Sequence, residues 1–244
     1  MNITKALARI TLILGLATSS IASVVDNQKN EPVNYPNLHI INHPLIKSKL
    51  TMMRDKRTSS QELRRLLGET ATLIGFEVTK NLPTKEIDVD TPVTKMKGQK
   101  LKNNIVLVPI LRAGLGMVDG IHKFMPEADV AHIGMFKDHL TKKAVEYLSK
   151  LPEIKDQIFI IIDPEISSGN SAISTIDRLT KSGVSTEKIL FMSLVVLPEG
   201  IEKLYLKYPT IPIYAASLDG KINEQASNSR GLGDFGDKLF GTKQ

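Results

Sequence analysis

No cysteine occurs among the 244 residues, which excludes disulfides, thiol nucleophiles and thiolate-held zinc, and permits an oxidising compartment without requiring one. The five histidines are scattered. His39 and His43 stand four apart, but Pro44 follows and takes the pair off a helix face, so they do not read as metal ligands. Basic blocks interleaved with aromatics are missing too. The 32 basic and 26 acidic residues leave a formal charge of +6, which suits a small anionic ligand and falls short of a nucleic-acid footprint. No internal repeat is evident, and the apolar run Ile10 to Leu16 is too short for a good membrane span. With 41% hydrophobic and 24% charged residues, the remainder has the composition of one α/β domain.

The first residues differ from the rest. Lys5 and Arg9 precede Ile10 to Leu16, small residues lead to Ala22, and no acid occurs before Asp26. This is the layout of a secretory signal cleaved after Ala22; a frayed amphipathic extension is the alternative. Residues 1–22 are therefore expected to be a signal-like segment. A polar linker with Pro32 and Pro36 follows over 23–37, and the domain occupies 38–244.

The most informative stretch is Phe159 to Ser171. Four apolar residues ending in Asp163 predict a buried parallel strand whose carboxyl end opens at a mouth. Ser167, Ser168, Gly169, Asn170 and Ser171 then supply hydroxyls and approachable N–H groups just before the helical pattern Ala172, Ile173, Ile176, Leu179. A helix N-terminus built this way cradles phosphate without a lysine. The Gly-Lys-Ser/Thr ending of a Walker loop is absent. An ordinary strand–turn–helix with a serine N-cap would look the same when read alone.

Along the chain, Ser59 and Glu62 form a capping box ahead of a helix carrying Leu63, Leu66, Leu67, Ala71, Ile74 and Val78. Ile87 and Val89 alternate with acids as a half-exposed strand, followed by a Lys/Gly-rich connector to Asn104. A continuous apolar strand over 105–110 ends in Leu111-Arg112-Ala113-Gly114-Leu115-Gly116. Arg112 is the informative residue there, since a guanidinium matches phosphate oxygens bidentately. Further strands are expected over 130–136, 189–197 and 211–218, with a hairpin arm over 142–150. Helices are expected to run to Lys181, with Gly183 beyond its end, and from Pro198 to about Tyr208. The alternation predicts a mostly parallel twisted sheet with helices on both faces. The glycine-rich end from Asp219 reads either as a flexible tail or as a loop over the site, with Asp234 flanked by glycine.

Several segments together carry a resemblance: "HPLIKSKLTMMRDK", "VPILRAGLGMVDGI", "IDPEISSGNSA", "PEG" and "GLGDFGDKLFGTK". In that order, over roughly Leu38 to Lys243, the chain resembles the uracil phosphoribosyltransferases of the type I phosphoribosyltransferase fold. The resemblance implies a flexible hairpin, a C-terminal base-binding loop, and transfer of ribose 5-phosphate from phosphoribosyl pyrophosphate (PRPP) to uracil, with Mg2+ accompanying the donor. It implies donor binding by Arg112, by Lys137 where the family usually has arginine, by the run Asp163, Pro164, Glu165, Ile166, Ser167, Ser168, Gly169, Asn170 and Ser171, and by Asp234. Arg112, Asp163 and Asp234 would act in catalysis. Backbone groups at Asn228, Gly233, Asp234 and Phe235 would read uracil, with the Phe235 ring stacked on the base or pointing outward, or else blocking the pocket. A homo-oligomer and a nucleotide effector such as GTP belong to the same picture, and no nucleic acid or membrane does.

This chain departs from the family pattern at Asn170, where glycine is usual, and through Ser227-Asn228-Ser229-Arg230, where the family is more apolar. Two other readings therefore stay open: a nucleotide- or RNA-binding protein of this fold without turnover, and a transferase for another pyrimidine. The activity places the protein in the cytoplasm, against the signal-like N-terminus.

Overall fold

The computed structural model describes residues 35–137, 144–220 and 232–242. The signal-like segment and all but the end of the linker lie outside them, and residues 35–244 form one compact unit. In chain order the strands are β1 (Leu38–Ile40), β2 (Thr84–Asp90), β3 (Lys95–Leu101), β4 (Ile105–Leu111), β5 (Asp129–Val130), β6 (His132–Lys137), β7 (Ala144–Lys150), β8 (Ile158–Ile162), β9 (Glu165–Ile166), β10 (Ile189–Val196) and β11 (Ile213–Leu218). The helices are α1 (Pro44–Arg54), α2 (Ser60–Thr79), α3 (Leu115–His122), α4 (Asn170–Lys181), α5 (Pro198–Lys207) and α6 (Phe235–Phe240).

Among the described residues the main sheet runs β1-β11-β10-β8-β4-β6-β7. Its pairings are parallel except β6 with β7, the expected hairpin arm. The apolar strand runs arise because both faces are covered. In β4, Ile105 and Leu107 join one core with α1, α2, α3 and α6, whereas Val106, Val108 and Ile110 join a second core with α4 and α5. In β8, Ile158, Ile160 and Ile162 face the first, Phe159 and Ile161 the second. This is the period-two alternation of a pleated strand, with both sides apolar.

Ser59 caps α2 as expected, its side chain accepting from Glu62 N at 3.2 Å. Gly183, with φ of 98°, follows the end of α4. The structure adds elements that the sequence pattern does not announce. His43 caps α1, with Pro44 in its first turn, which accounts for that histidine without a metal. β1 contributes only three partly exposed residues. The connector expected after Pro92 is instead strand β3, paired with β2 from Thr84↔Leu101 to Asp90↔Lys95. Its cross-strand partners are largely charges, Lys97 with Asp88 at 2.7 Å and with Glu86 at 3.5 Å, so apolar alternation gave no signal. Among the described residues no helix is long and apolar enough to cross a membrane.

Candidate active site

The site forms where the sheet changes direction. From β4 the chain turns to α3 over one core; from the adjacent strand β8 it turns to α4 over the other. Loops that diverge to opposite faces leave a crevice at the carboxyl ends of the two strands. Asp163 follows β8, Arg112 follows β4, and Lys137 ends β6, the next parallel strand. Three of the expected donor-binding residues thus lie at neighbouring strand ends, although the Lys137 side chain is outside the described structure. Gly114 makes the junction tight: a Cβ there would stand 2.5 Å from Ile162 O, so the Arg112 loop seats directly against the residue before Asp163.

Beyond Asp163 the loop is stitched to β10. Asp163 N donates to Met192 O at 3.2 Å, Leu194 N and Val195 N both donate to Pro164 O at 3.1 Å, and Leu197 N donates to Ile166 O at 2.8 Å. Glu165 and Ile166 form the short strand β9 beside Val195 and Val196. The chain then turns through Gly169, the N-cap of α4, at φ of 75°. Only glycine takes this conformation without strain. No side chain caps α4, which corrects the reading of an ordinary serine cap. Asn170 is the first helical residue, so the departure from glycine falls where a side chain is tolerated, and the residue that needs glycine is kept. A cleft of about 40 Å³ opens here, lined by Asp163, Glu165 and Ile166 through Ala172, the size of a small anion group rather than a base.

The "PEG" segment explains why the loop is flat. Gly200 in α5 packs beneath it, and a Cβ there would lie 2.5 Å from Ser167 O and 2.9 Å from Ile166 Cγ2. Gly169 meets Gly200 from the other side, its own imagined Cβ 2.8 Å from Gly200 O. Two glycines allow main chain to lie on main chain. The sequence showed the motif without its task.

Asp163 is half-buried, and desolvation pushes its carboxyl pKa up to about 8, with the nearby Glu165 charge adding to the rise and the weak hydrogen bond from Glu165 N opposing it.

Across the crevice, Arg112 is half-exposed and already engaged. Its Nη2 donates to Asp237 Oδ1 at 2.7 Å and its Nη1 to Thr242 Oγ1 at 3.1 Å, while Thr242 Oγ1 donates to the same Asp237 oxygen at 2.5 Å. Asp237 belongs to α6, whose N-cap is Asp234: its carboxylate accepts from Asp237 N at 2.9 Å. The described part of the C-terminal stretch is thus docked, against the reading of a flexible tail. Phe235 is buried at 5% exposure in the same core as Leu232 and Leu239, so its ring holds α6 down and neither points outward nor presents a platform to a base. Asn228 lies outside the described residues. Gly200, Asp237 and Thr242 were missed from the sequence as site residues; the quoted segments contained them, but only the contacts give them roles.

The mostly parallel sheet, with a glycine-turned loop opening a helix at its switch point and Arg112 beside it, agrees with the type I phosphoribosyltransferase fold. The uracil phosphoribosyltransferase family model matches residues 40–242, and the chain belongs to that family. It is 46% identical over 208 residues to a uracil phosphoribosyltransferase of Anoxybacillus flavithermus, covering 84% of this chain and 99% of the relative. It is 45% identical over 216 residues to that of Ralstonia pickettii, covering 88% and 99%. Among solved structures, the AQ2163 protein from Aquifex aeolicus is similar with a TM-score of 0.78 at 30% identity, over 83% of this chain and 97% of that one.

Proposed function

We propose that the protein transfers ribose 5-phosphate from PRPP to uracil, giving uridine monophosphate and pyrophosphate. The observation that carries this is the cradle: a helix N-terminus turned and capped by Gly169, lying one strand from Arg112 at the switch point. The 5-phosphate binds at Ser167 to Ser171, where main-chain N–H groups and the helix dipole favour an anion. Asp163 lies beside it to hydrogen-bond the ribose hydroxyls.

Reaction proceeds as the C1–O bond to pyrophosphate stretches and a uracil nitrogen bonds to C1. The electron pair leaves with pyrophosphate, and the proton of the nitrogen passes to water. Negative charge grows on the leaving group, and Arg112 and Lys137 offset it. Positive charge on the ribose ring is favoured by the carboxylate of Asp234. No side-chain nucleophile is required, so placement and electrostatics account for the rate. Because Arg112 holds Asp237 in the ligand-free protein, donor binding exchanges a carboxylate for phosphate oxygens at that guanidinium. Uracil is read by main-chain groups of Gly233, Asp234 and Phe235, with Asn228 completing the set.

Magnesium, when bound, neutralises pyrophosphate oxygens. Among the described residues no three His, Asp or Glu side chains gather into an ion site, while Asp163 and Glu165 are the hard oxygen donors at the cradle; such a set suits an ion that keeps waters and substrate oxygens as most of its ligands. Homo-oligomerisation and a nucleotide effector such as GTP rest on the family resemblance. The donor is a cytosolic metabolite, so the reaction belongs in the cytoplasm, and the fate of residues 1–22 is a separate question of processing.

The test is incubation of the protein with PRPP, Mg2+ and a panel of bases, with mononucleotides identified by mass spectrometry. Uridine monophosphate is the expected product. A different pyrimidine nucleotide would move the specificity, and no product with any base would leave a binding protein.

A further inference from the structure

The last turn of α1 receives contacts from two places in the C-terminal part of the chain. Arg54 Nη2 donates to both carboxylate oxygens of Asp219, at 2.7 and 2.8 Å. Asp219 directly follows β11 and is buried; its Oδ1 also accepts from Ser217 Oγ at 2.7 Å, and its N–H donates to Val196 O at 2.9 Å. From the other side, Lys238 of α6 donates through Nζ to Met53 O at 3.2 Å and to Asp55 O at 3.4 Å. Both cations sit where a helix C-terminus leaves carbonyls open and its dipole favours positive charge. One helix end thus holds the chain where it leaves the sheet and again where it docks as α6.

We infer that Arg54 and Lys238 are positioning residues for the base: they fix Gly233 to Phe235 relative to the phosphate cradle without touching either substrate. This rests on the proposed reading of Gly233 to Phe235 as uracil contacts. The donor side has anchors of its own, the main-chain bonds to β10 and the seat on Gly200, and meets the base side at Arg112, which pairs with Asp237, and at Val196, whose carbonyl accepts from Asp219 N. Loosening α1's grip therefore shifts the base more than the donor, whose phosphate loop keeps its main-chain bonds to β10. The chemistry of the grip agrees. Asp219 is buried while Arg54 is partly exposed, and such a pair is seldom a better stabiliser than apolar residues of the same size; the Arg54 Nε is buried without a partner. What contact with both carboxylate oxygens gives instead is a fixed position for Asp219.

The experiment is steady-state kinetics of the full chain with Mg2+-PRPP and uracil, with melting temperatures recorded alongside. Arg54→Gln strands a buried carboxylate and can unfold the protein, so the double variant Arg54→Gln with Asp219→Asn and the single variant Lys238→Gln are the primary tests. Each is expected to raise the KM for uracil at least fivefold while the KM for PRPP stays within twofold. Arg54→Lys should recover part of the effect, since an ammonium restores the charge but not the planar guanidinium. A parallel rise of both KM values would show a general structural role, and unchanged kinetics would show no role; either overturns the inference and leaves the transferase reading intact. If the parent protein forms no uridine monophosphate, that reading fails first and takes this inference with it.

Discussion

The two sides of the crevice are held by different kinds of bond. Residues 163–171 are fixed by main-chain hydrogen bonds to β10 and by glycine lying on glycine, so their geometry depends little on which side chains they carry. Residues 232–242 are fixed by side chains: Arg112 and Thr242 on Asp237, Lys238 on the end of α1, Arg64 Nη1 donating to Leu239 O at 2.7 Å, and the buried rings and chains of Phe235 and Leu239. The phosphate and ribose are common to every phosphoribosyl donor, whereas the base differs between enzymes. A main-chain cradle suits the invariant part of the substrates, and a segment hung on replaceable side chains suits the part that specificity must tune.

Breaking the donor side should give the larger effects. Asp163→Asn is expected to lower kcat/KM by at least a hundredfold, and to stabilise the ligand-free protein at pH 8. The sign follows from the raised pKa. The folded state keeps a proton that the unfolded chain releases near its ordinary 3.8, so the carboxyl's favourable contribution is complete below that pH and is lost as pH rises towards about 8. Asparagine carries no such titration. Chemical denaturation from pH 4 to pH 8 should show parent stability falling relative to the variant, on the order of a few kcal/mol; parallel curves would show that burial does not perturb Asp163.

Gly200→Ala places a methyl against Ser167 O and Ile166. It should cost about 1–3 kcal/mol of stability through overpacking and raise the KM for PRPP tenfold or more, with the uracil KM unchanged. Equal changes in both would mean that the loop and the base side move together. Arg112→Ala should lower kcat/KM about tenfold or more, about 1.4 kcal/mol, because a charge-assisted contact to the leaving group is lost. As Arg112 also pairs with Asp237, a smaller rise in the uracil KM should accompany it, and that rise alone should reappear in Asp237→Asn. Unchanged kinetics in a folded Arg112→Ala variant would remove the guanidinium from the site.

The same division governs what the sequence discloses. Apolar strands 105–110 and 159–162, the capping box at Ser59, the small-residue run after Asp163 and Gly183 beyond α4 are local patterns, and local patterns survive in one dimension. So the sequence alone places Arg112 and the cradle at strand ends. The hairpin partner β3 pairs through charge, the three-residue β1 has too little length for a period, and α6 is short and held by distant partners. The Phe235 ring was misjudged for that reason, since burial under a docked helix is a tertiary fact. Likewise Asp219 and Arg54 lie 165 residues apart, and nothing near either announces the other.

A crystal structure of the complex with uridine monophosphate tests the central assignment most directly. The account predicts the phosphate against the main-chain N–H groups of Ser168 to Ser171, the ribose hydroxyls against Asp163, and the uracil edge against the main chain of Gly233 to Phe235. A phosphate bound elsewhere, or a base turned away from Gly233 to Phe235, would contradict it.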